Sequence, residues 1–387
     1  MSIKLPKNGL IFWPIGNGDS TTVRIEADEI IMQIDLNHMA SAEDEDDEHY
    51  PIVDELIQFL PRKNGKPYLS IFVLTHPDQD HINGFKYLLE KALIGEIWHT
   101  PRVFREFKKD LCDDAKTFKD EVIRRRDLNV EENGAVEIGD MLRVIGHDDI
   151  FDNSDDYEDF PEYWHSYPGN IIDSVHGSPV ENFKVFIHAP FKEDSASDRN
   201  NTSLAMQVEI KSNEKSLKSL FFGDREYPTI KQIFDITEEN DNEEYLEWDI
   251  LLAPHHCSKK VMYWKDENDD DEEFKSDIID AFEKSKNQGG YIIASCESDF
   301  SDEDGKNPPH MKARKRFEEI VDSGHFLCTH ENDQEDEEDP IIINLADEGI
   351  SIDNDSDDDN KSTLGSAISI ARGEDKPPTE KVGFGLS

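Results

Sequence analysis

A chain of 387 residues with 88 acidic and 41 basic side chains carries a formal charge of −47. A field of that sign repels nucleic acid on average, which excludes a broad cationic track for a long duplex though not a local basic groove. A hydrophobic content of 36% beside a charged content of 33% describes a body large enough for a substantial core that carries polar insertions.

Much of the charge lies in acid runs at Glu43–Glu48, Asp266–Glu273, Asp333–Asp339 and Asp353–Asp359, which read as solvated loops. Cys112, Cys257, Cys296 and Cys328 form no Cys-x-x-Cys pair, so neither a zinc ribbon nor a thioredoxin-like motif is present. Four scattered cysteines fit a reducing compartment. Met1–Lys7 lacks the apolar core of a signal peptide. No apolar stretch reaches the roughly 18 residues that a membrane helix needs. A cytoplasmic protein without a membrane span is therefore expected.

In chain order, Leu10–Trp13, Thr21–Ile25 and Ile30–Asp35 read as strands, with a Gly16-Asn-Gly-Asp19 turn between the first two. The apolar spacing of Ile52, Val53, Leu56, Ile57 and Leu60 predicts a helix over 50–60. Leu69–Thr75 is short, apolar and partly β-branched, the pattern of a buried strand. A helix over 84–91 follows, and residues 103–126 form a second, basic helix. Residues 149–180 lack periodicity and read as an insertion or lid loop.

Strands resume at Lys184–His188, Ser203–Ile210, Ser219–Phe222, Asp249–Ala253, Tyr291–Ser295, Phe326–Thr329 and Ile341–Leu345. Helices at 229–234, 273–284 and 310–322 alternate with them. Strands throughout, with helices between, predict two sheets sandwiched by helices. Residues 1–352 are expected to form one domain. Residues 353–387 lose apolar periodicity and read as a disordered acidic and polar tail able to recruit a protein partner.

The chemistry concentrates in Thr75-His-Pro-Asp-Gln-Asp-His81. His76, Asp78, Asp80 and His81 offer four potential ligands within six residues, at the end of a predicted strand and before a helix. Imidazole and carboxylate donors suit Zn²⁺, Fe and Mn²⁺. A lone His-x-Asp there reads equally as a helix cap on a surface loop. The tight spacing favours a metal centre, and so does the recurrence of strand-end candidates downstream. Those are Asp224 in Phe221-Phe-Gly-Asp224 and the pair His255-His256 in Leu251-Leu-Ala-Pro-His-His-Cys-Ser258. Lys259 and Lys260 follow the pair; they offer contacts to phosphate oxygens, or form a solvated face.

The motif His-x-Asp-x-Asp-His resembles the metallo-β-lactamase superfamily signature His-x-His-x-Asp-His, with Asp78 in place of a histidine. That departure resembles the branch containing the hydrolase domain of the competence protein ComEC and phosphorylcholine esterases. Ile15-Gly-Asn-Gly-Asp-Ser20, Ile34-Asp35, Asn200-Asn-Thr-Ser-Leu204, Phe222-Gly-Asp224 and His255-His-Cys-Ser258 resemble other segments of that branch in the same order. Cys257 stands where the branch has glycine.

The resemblance implies an α/β (α+β) fold, a four-layer αββα sandwich with its site at one edge of the sheets. It implies two divalent metals, Zn²⁺ first, with Mn²⁺ or Fe²⁺ as alternatives. His76 and Asp78 would hold one metal and Asp80 and His81 the second. Asp224 would bridge, and His256 would complete the second site. His255 would act on the substrate, and Asp80 would orient a metal-activated hydroxide. The superfamily's middle metal histidine has no evident counterpart. His188 and Asn201 are both candidates, although His188 also reads as a packed structural residue on an apolar strand. The Cys257 thiol reads as a soft extra ligand or as a tolerated small side chain. His310, after Asn307-Pro-Pro309, would line the substrate pocket or cap a surface helix.

The expected function is a metal-dependent hydrolase, a phosphodiesterase or nuclease acting on an anionic phosphodiester such as the end of a single-stranded nucleic acid. Arg105, Lys108, Lys109, Arg124–Arg126 and Lys312–Arg316 are its candidate basic contacts. The −47 charge favours a small phosphodiester. The alternatives are a carbon-ester or lactone hydrolase, since fold does not specify substrate, and a non-catalytic interaction or regulatory protein that keeps the fold.

Overall fold

The structure, a computed structural model, describes residues 5–26, 29–40, 49–101, 111–147, 155–191, 200–265, 271–303, 305–331, 333–334, 337–338 and 339–353. Arg105, Lys108, Lys109, the acid run at 43–48 and the tail at 354–387 lie outside them.

Strands β1 (Gly9–Phe12), β2 (Thr21–Glu26) and β3 (Ile30–Ile34) open the chain as an antiparallel meander. Helix α1 (Ile52–Phe59) then crosses to β4 (Lys66–Val73), which runs parallel to β3. The short helices α2 (Gln79–Ile82) and α3 (Phe85–Lys91) lead to β5 (Leu93–His99), and α4 (Asp113–Glu131) leads to β6 (Met141–Ile145). The two-residue strand β7 (His165–Ser166) closes that edge. Near the end of the described chain, β15 (Ile341–Ala346) and β16 (Gly349–Asp353) return to the other side of β1, so the first sheet runs β16-β15-β1-β2-β3-β4-β5-β6-β7.

The second sheet starts at β8 (Ile171–Ile172), β9 (Phe183–Ala189), β10 (Ala205–Ser212) and β11 (Lys215–Phe221), all antiparallel neighbours. Helix α5 (Tyr227–Glu239) crosses to β12 (Trp248–Leu252), and α6 (Ser276–Ser285) to β13 (Lys286–Ala294). Helix α7 (Met311–Glu319) precedes β14 (Phe326–Cys328), and β11 to β14 run parallel.

Strand alternation builds the layers. Ile71 and Val73 pack between the two sheets with Val185, Met206, Val208 and Ile250, while Phe72 turns outward to α1, α3 and α4, meeting Leu56, Phe85 and Phe118. On the second sheet Leu251 turns outward to Ile233 of α5, Phe282 of α6 and Phe317 of α7. One apolar core between sheets and one under each helix layer make the four-layer αββα sandwich that the resemblance implies.

Sequence patterning missed β5 and β6 as strands, because both are fully paired and their runs lack the polar/apolar alternation of a half-exposed strand. Of the basic helix expected over 103–126, residues 103–110 lie outside the described residues; the described helix α4 runs from Asp113 to Glu131. Of the segment 149–180, expected as an insertion or lid loop, the described residues 155–180 contain short strands, including β7 and β8. Among the described residues no helix is long and apolar enough to cross a membrane.

Candidate metal centre

The carboxyl ends of the parallel strands of both sheets meet at one rim, the usual place for a site in open α/β sheets. Asp35 follows β3 and His76 follows β4. The one-turn helix α2 fixes the next ligands, with Asp78 as its N-cap residue and the His81 amide donating to Asp78 O at 3.1 Å. Gly18 lets the β1–β2 loop lie on this turn: a side chain there would meet Asp80 O at 2.6 Å, and the Asp19 amide donates to that same oxygen. From the second sheet, Asp224 follows β11 after Gly223, whose φ of 53° favours glycine.

His255, His256 and Cys257 follow β12 with φ of 50°, 52° and 60°, three successive L-residues in the left-handed region. Such conformations are strained and cluster where function needs an unusual side-chain direction.

The strain aims the rings. His81 Nε2 and His256 Nε2 each stand 3.2 Å from Asp224 Oδ1. His76 Nε2 and His255 Nε2 stand 3.7 and 3.8 Å from Asp224 Oδ2. One buried carboxylate therefore presents each of its oxygens to two imidazoles. Asp80 Oδ2 joins the first pair, 3.5 Å from His256 Nε2, with its side chain 40% exposed toward solvent.

Behind the rings, each Nδ1 faces an oxygen. Asp35 Oδ2 lies 2.7 Å from His81 Nδ1, Thr75 Oγ1 3.1 Å from His76 Nδ1, Asp19 Oδ1 3.5 Å from His256 Nδ1 and Glu226 Oε1 3.8 Å from His255 Nδ1. Asp35 is itself fixed by the Thr75 amide at 2.7 Å and the Thr75 hydroxyl at 2.6 Å. Such backing oxygens orient ligating histidines and raise their basicity.

The electrostatics suit a cation. Burial opposes ionisation of Asp224, yet His256, His255 and His81 hold its carboxyl well below the ordinary range. Burial likewise opposes charge on His81 and His256, yet Asp224 drives both well above the ordinary imidazole range. His255 is instead lowered, chiefly by burial. Partial burial opposes ionisation of Asp80, yet the adjoining His256 and His81 imidazoles hold its carboxyl low.

Asp19 Oδ1, His76 Nε2, His81 Nε2, Asp224 Oδ1 and both His256 ring nitrogens are buried without a hydrogen bond. Buried polar atoms left so are costly, and several converging on one point suit a cation. Asp19, His81, Asp224 and His256 offer ligand atoms all within 4.8 Å of one another. The imidazole and carboxylate donors fit Zn²⁺, Mn²⁺ or Fe. Cys257 packs in the outer core among Phe222 and Phe317 and adds no thiolate to the donor set.

The structure thus gathers His76, Asp80, His81, Asp224, His255 and His256. Asp78 stands half-buried at the start of α2. His188 is elsewhere: its Nδ1 pairs with the Thr237 hydroxyl at 3.2 Å and its Nε2 with Tyr245 O at 2.9 Å, as a packed structural residue does. Asn201 accepts from the Thr229 hydroxyl at 3.1 Å. His310 is buried, and braces the strained turn: its amide donates to Cys257 O at 3.1 Å and its Nδ1 accepts from the Lys259 amide at 3.3 Å.

The basic groups are largely engaged by acids. Lys259 pairs with Glu272 and Lys260 with Glu226, each at 2.8 Å. Arg124 binds Glu121 and Asp140, Arg126 binds Asp127, Arg314 binds Glu318 and Glu331, and Arg316 binds Glu319. Arg125 is buried and ties α4 to Ile94 O and Met141 O, each at 3.0 Å.

Sequence reasoning missed Asp19, Asp35 and Glu226 as site residues. The Gly-Asn-Gly-Asp turn and the strand-end Asp35 were visible signals; Glu226 gave none.

No family model matches the chain, and no curated protein does. Its fold is similar to those of several solved structures, which are metallo-β-lactamase-fold proteins. Yeast PDE1, in its unliganded crystal structure, shares 12% identity at a TM-score of 0.38, covering 81% of this chain and 93% of that one. The Rm3 metallo-beta-lactamase shares 11% at 0.31, covering 62% and 76%. GOB-18 from Elizabethkingia meningoseptica shares 13% at 0.28, covering 74% and 94%.

Proposed function

We propose that this chain is a dinuclear metal-dependent hydrolase of small phosphodiesters. The observation that carries the reading is the division of Asp224: Oδ1 faces His81 and His256, and Oδ2 faces His76 and His255. Asp224 would bridge two cations, with Asp80 beside the His81/His256 pair; the motif resemblance assigns Asp78 to the other cation. His255 then takes the position for which His188 and Asn201 were the candidates. Zn²⁺ is the first choice, with Mn²⁺ or Fe²⁺ as alternatives. Two divalent cations there would supply Lewis acidity, which acidifies water and neutralises charge developing on the substrate.

The chain's own groups complete the task. Asp80, ionised and partly open to solvent, accepts a hydrogen bond from an incoming water and orients it toward the substrate. Asp19 and Asp35 hold His256 and His81 from behind and keep their Nε2 atoms aimed at the reaction centre. Among the described residues, Lys259, Lys260, Arg124, Arg126, Arg314 and Arg316 are paired with acids, which favours a small substrate over a long nucleic acid. The motif resemblance to the ComEC branch supports phosphodiester chemistry over carbon-ester cleavage.

The test is turnover of bis-p-nitrophenyl phosphate, p-nitrophenyl acetate and single-stranded DNA by protein whose metal content is measured. The reading expects cleavage of the first and little of the other two. Absence of phosphodiester turnover with Zn²⁺, Mn²⁺ and Fe²⁺ demonstrably bound refutes it.

A further inference from the structure

Glu226 occupies the N-cap position of α5, where Ser, Thr, Asp or Asn would be expected, and its side chain makes no capping hydrogen bond. Helix formation therefore does not account for a glutamate there. Its side chain is only 6% exposed, a costly place for a carboxylate without good reason. It turns inward instead. Oε1 meets Lys260 Nζ at 2.8 Å on the solvent side and faces His255 Nδ1 at 3.8 Å on the other. That Nδ1 is buried and makes no hydrogen bond.

The ring of His255 needs a partner: its backbone is left-handed, as is that of His256, and its amide donates to Gly223 O at 3.0 Å. An imidazole that gives Nε2 to a cation carries its proton on Nδ1, and that N–H requires an acceptor.

We propose that Glu226 is the positioning residue of His255: it accepts a hydrogen bond from Nδ1–H, fixes the tautomer that offers Nε2 beside Asp224 Oδ2, and is itself held in place by its pairing with Lys260 at the surface. The proposal rests on the dinuclear reading. It makes occupancy of the His76/His255 site depend on a carboxylate that touches no metal.

The experiment is Zn²⁺ titration of the full chain against a chromophoric chelator. The wild type is expected to take two equivalents. Glu226→Ala should weaken one of them by about 10- to 100-fold and leave the other unchanged. Glu226→Gln, which keeps an acceptor but loses the charge, should fall between. Lys260→Ala should retain both equivalents, because the acceptor remains. Two equivalents at wild-type affinity in Glu226→Ala overturn the proposal while leaving the dinuclear reading intact. Fewer than two in the wild type overturn the dinuclear reading, and the proposal falls with it. A second measurement needs no variant of Glu226: in zinc-loaded wild type, nitrogen-edited NMR should find the His255 Nδ1–H protected from exchange, and a freely exchanging proton there overturns the assignment.

Discussion

The left-handed turn at 255–257 permits a sharp test of strain. An L-residue in that region costs about 1–2 kcal/mol, so three in succession store roughly 3–6 kcal/mol. Two of the three are the histidines that face Asp224. Cys257 is the third, fully buried in the outer core with φ of 60°, and it can be changed without removing a donor. Both Cys257→Ala and Cys257→Gly lose the sulfur contacts, about 1 kcal/mol of apolar burial. Glycine loses slightly more packing and costs about 0.5–1 kcal/mol more unfolded-chain entropy. Against that, glycine releases the steric conflict between Cβ and carbonyl, which alanine keeps. At a right-handed helical position glycine is the worse of the two by about 1 kcal/mol. Here the order should invert, with Cys257→Gly about as stable as wild type and roughly 1 kcal/mol more stable than Cys257→Ala. Urea unfolding of chelator-treated full-length protein measures this, provided the slope with denaturant is the same for both variants. Cys257→Ala equal to or more stable than Cys257→Gly refutes the claim that the turn is strained.

Other consequences follow from the same geometry. Asp224→Asn removes the charge shared by four imidazoles, so it should abolish tight uptake of both metal equivalents, as read by elemental analysis after dialysis; a variant that keeps one equivalent contradicts a bridge. Asp35 accepts three hydrogen bonds from Thr75 and His81; Asp35→Asn puts an amide where acceptors are needed, and should cost about 2 kcal/mol in unfolding free energy and weaken metal binding about 10- to 100-fold. Burial holds the His188 imidazole down to about 4, from an ordinary 6.5. The unfolded chain therefore takes that proton first, and stability present above pH 6.5 is lost as pH falls toward 4. That histidine alone should cost about 2 kcal/mol between pH 7 and pH 5. His188→Gln should flatten the acid loss of the urea midpoint by that amount, and an unchanged pH profile would show that His188 is not buried neutral.

What the sequence revealed depended on how far apart the cooperating residues lie. His76, Asp80 and His81 share one loop and one helical turn, so their spacing carried the metal reading by itself. The pairs Asp224 and His255/His256 were legible because each ends an apolar strand, and strand ends converge at the rim of a sandwich. His188 shows where that rule misleads. It also lies near a strand end, but period-two alternation on β9 sends Val185 and Ile187 into the core between the sheets and turns Phe186 and His188 the other way, toward Tyr245. Counting the alternation from Ile187 would have placed His188 away from the rim.

The backing oxygens of Asp19 and Glu226 depend on contacts that no local pattern encodes. Asp19 reaches His256 only because the β1–β2 loop lies on the α2 turn, and Glu226 reaches His255 only because a left-handed turn rotates that ring toward α5. The pairing of the lysines was hidden for the same reason, since Lys259 and Lys260 find Glu272 and Glu226 through the fold. Short-range spacing thus specified which atoms could bind a cation. Long-range packing decides how firmly those atoms are aimed, and it is there that the strained turn and its carboxylate support set the properties of the site.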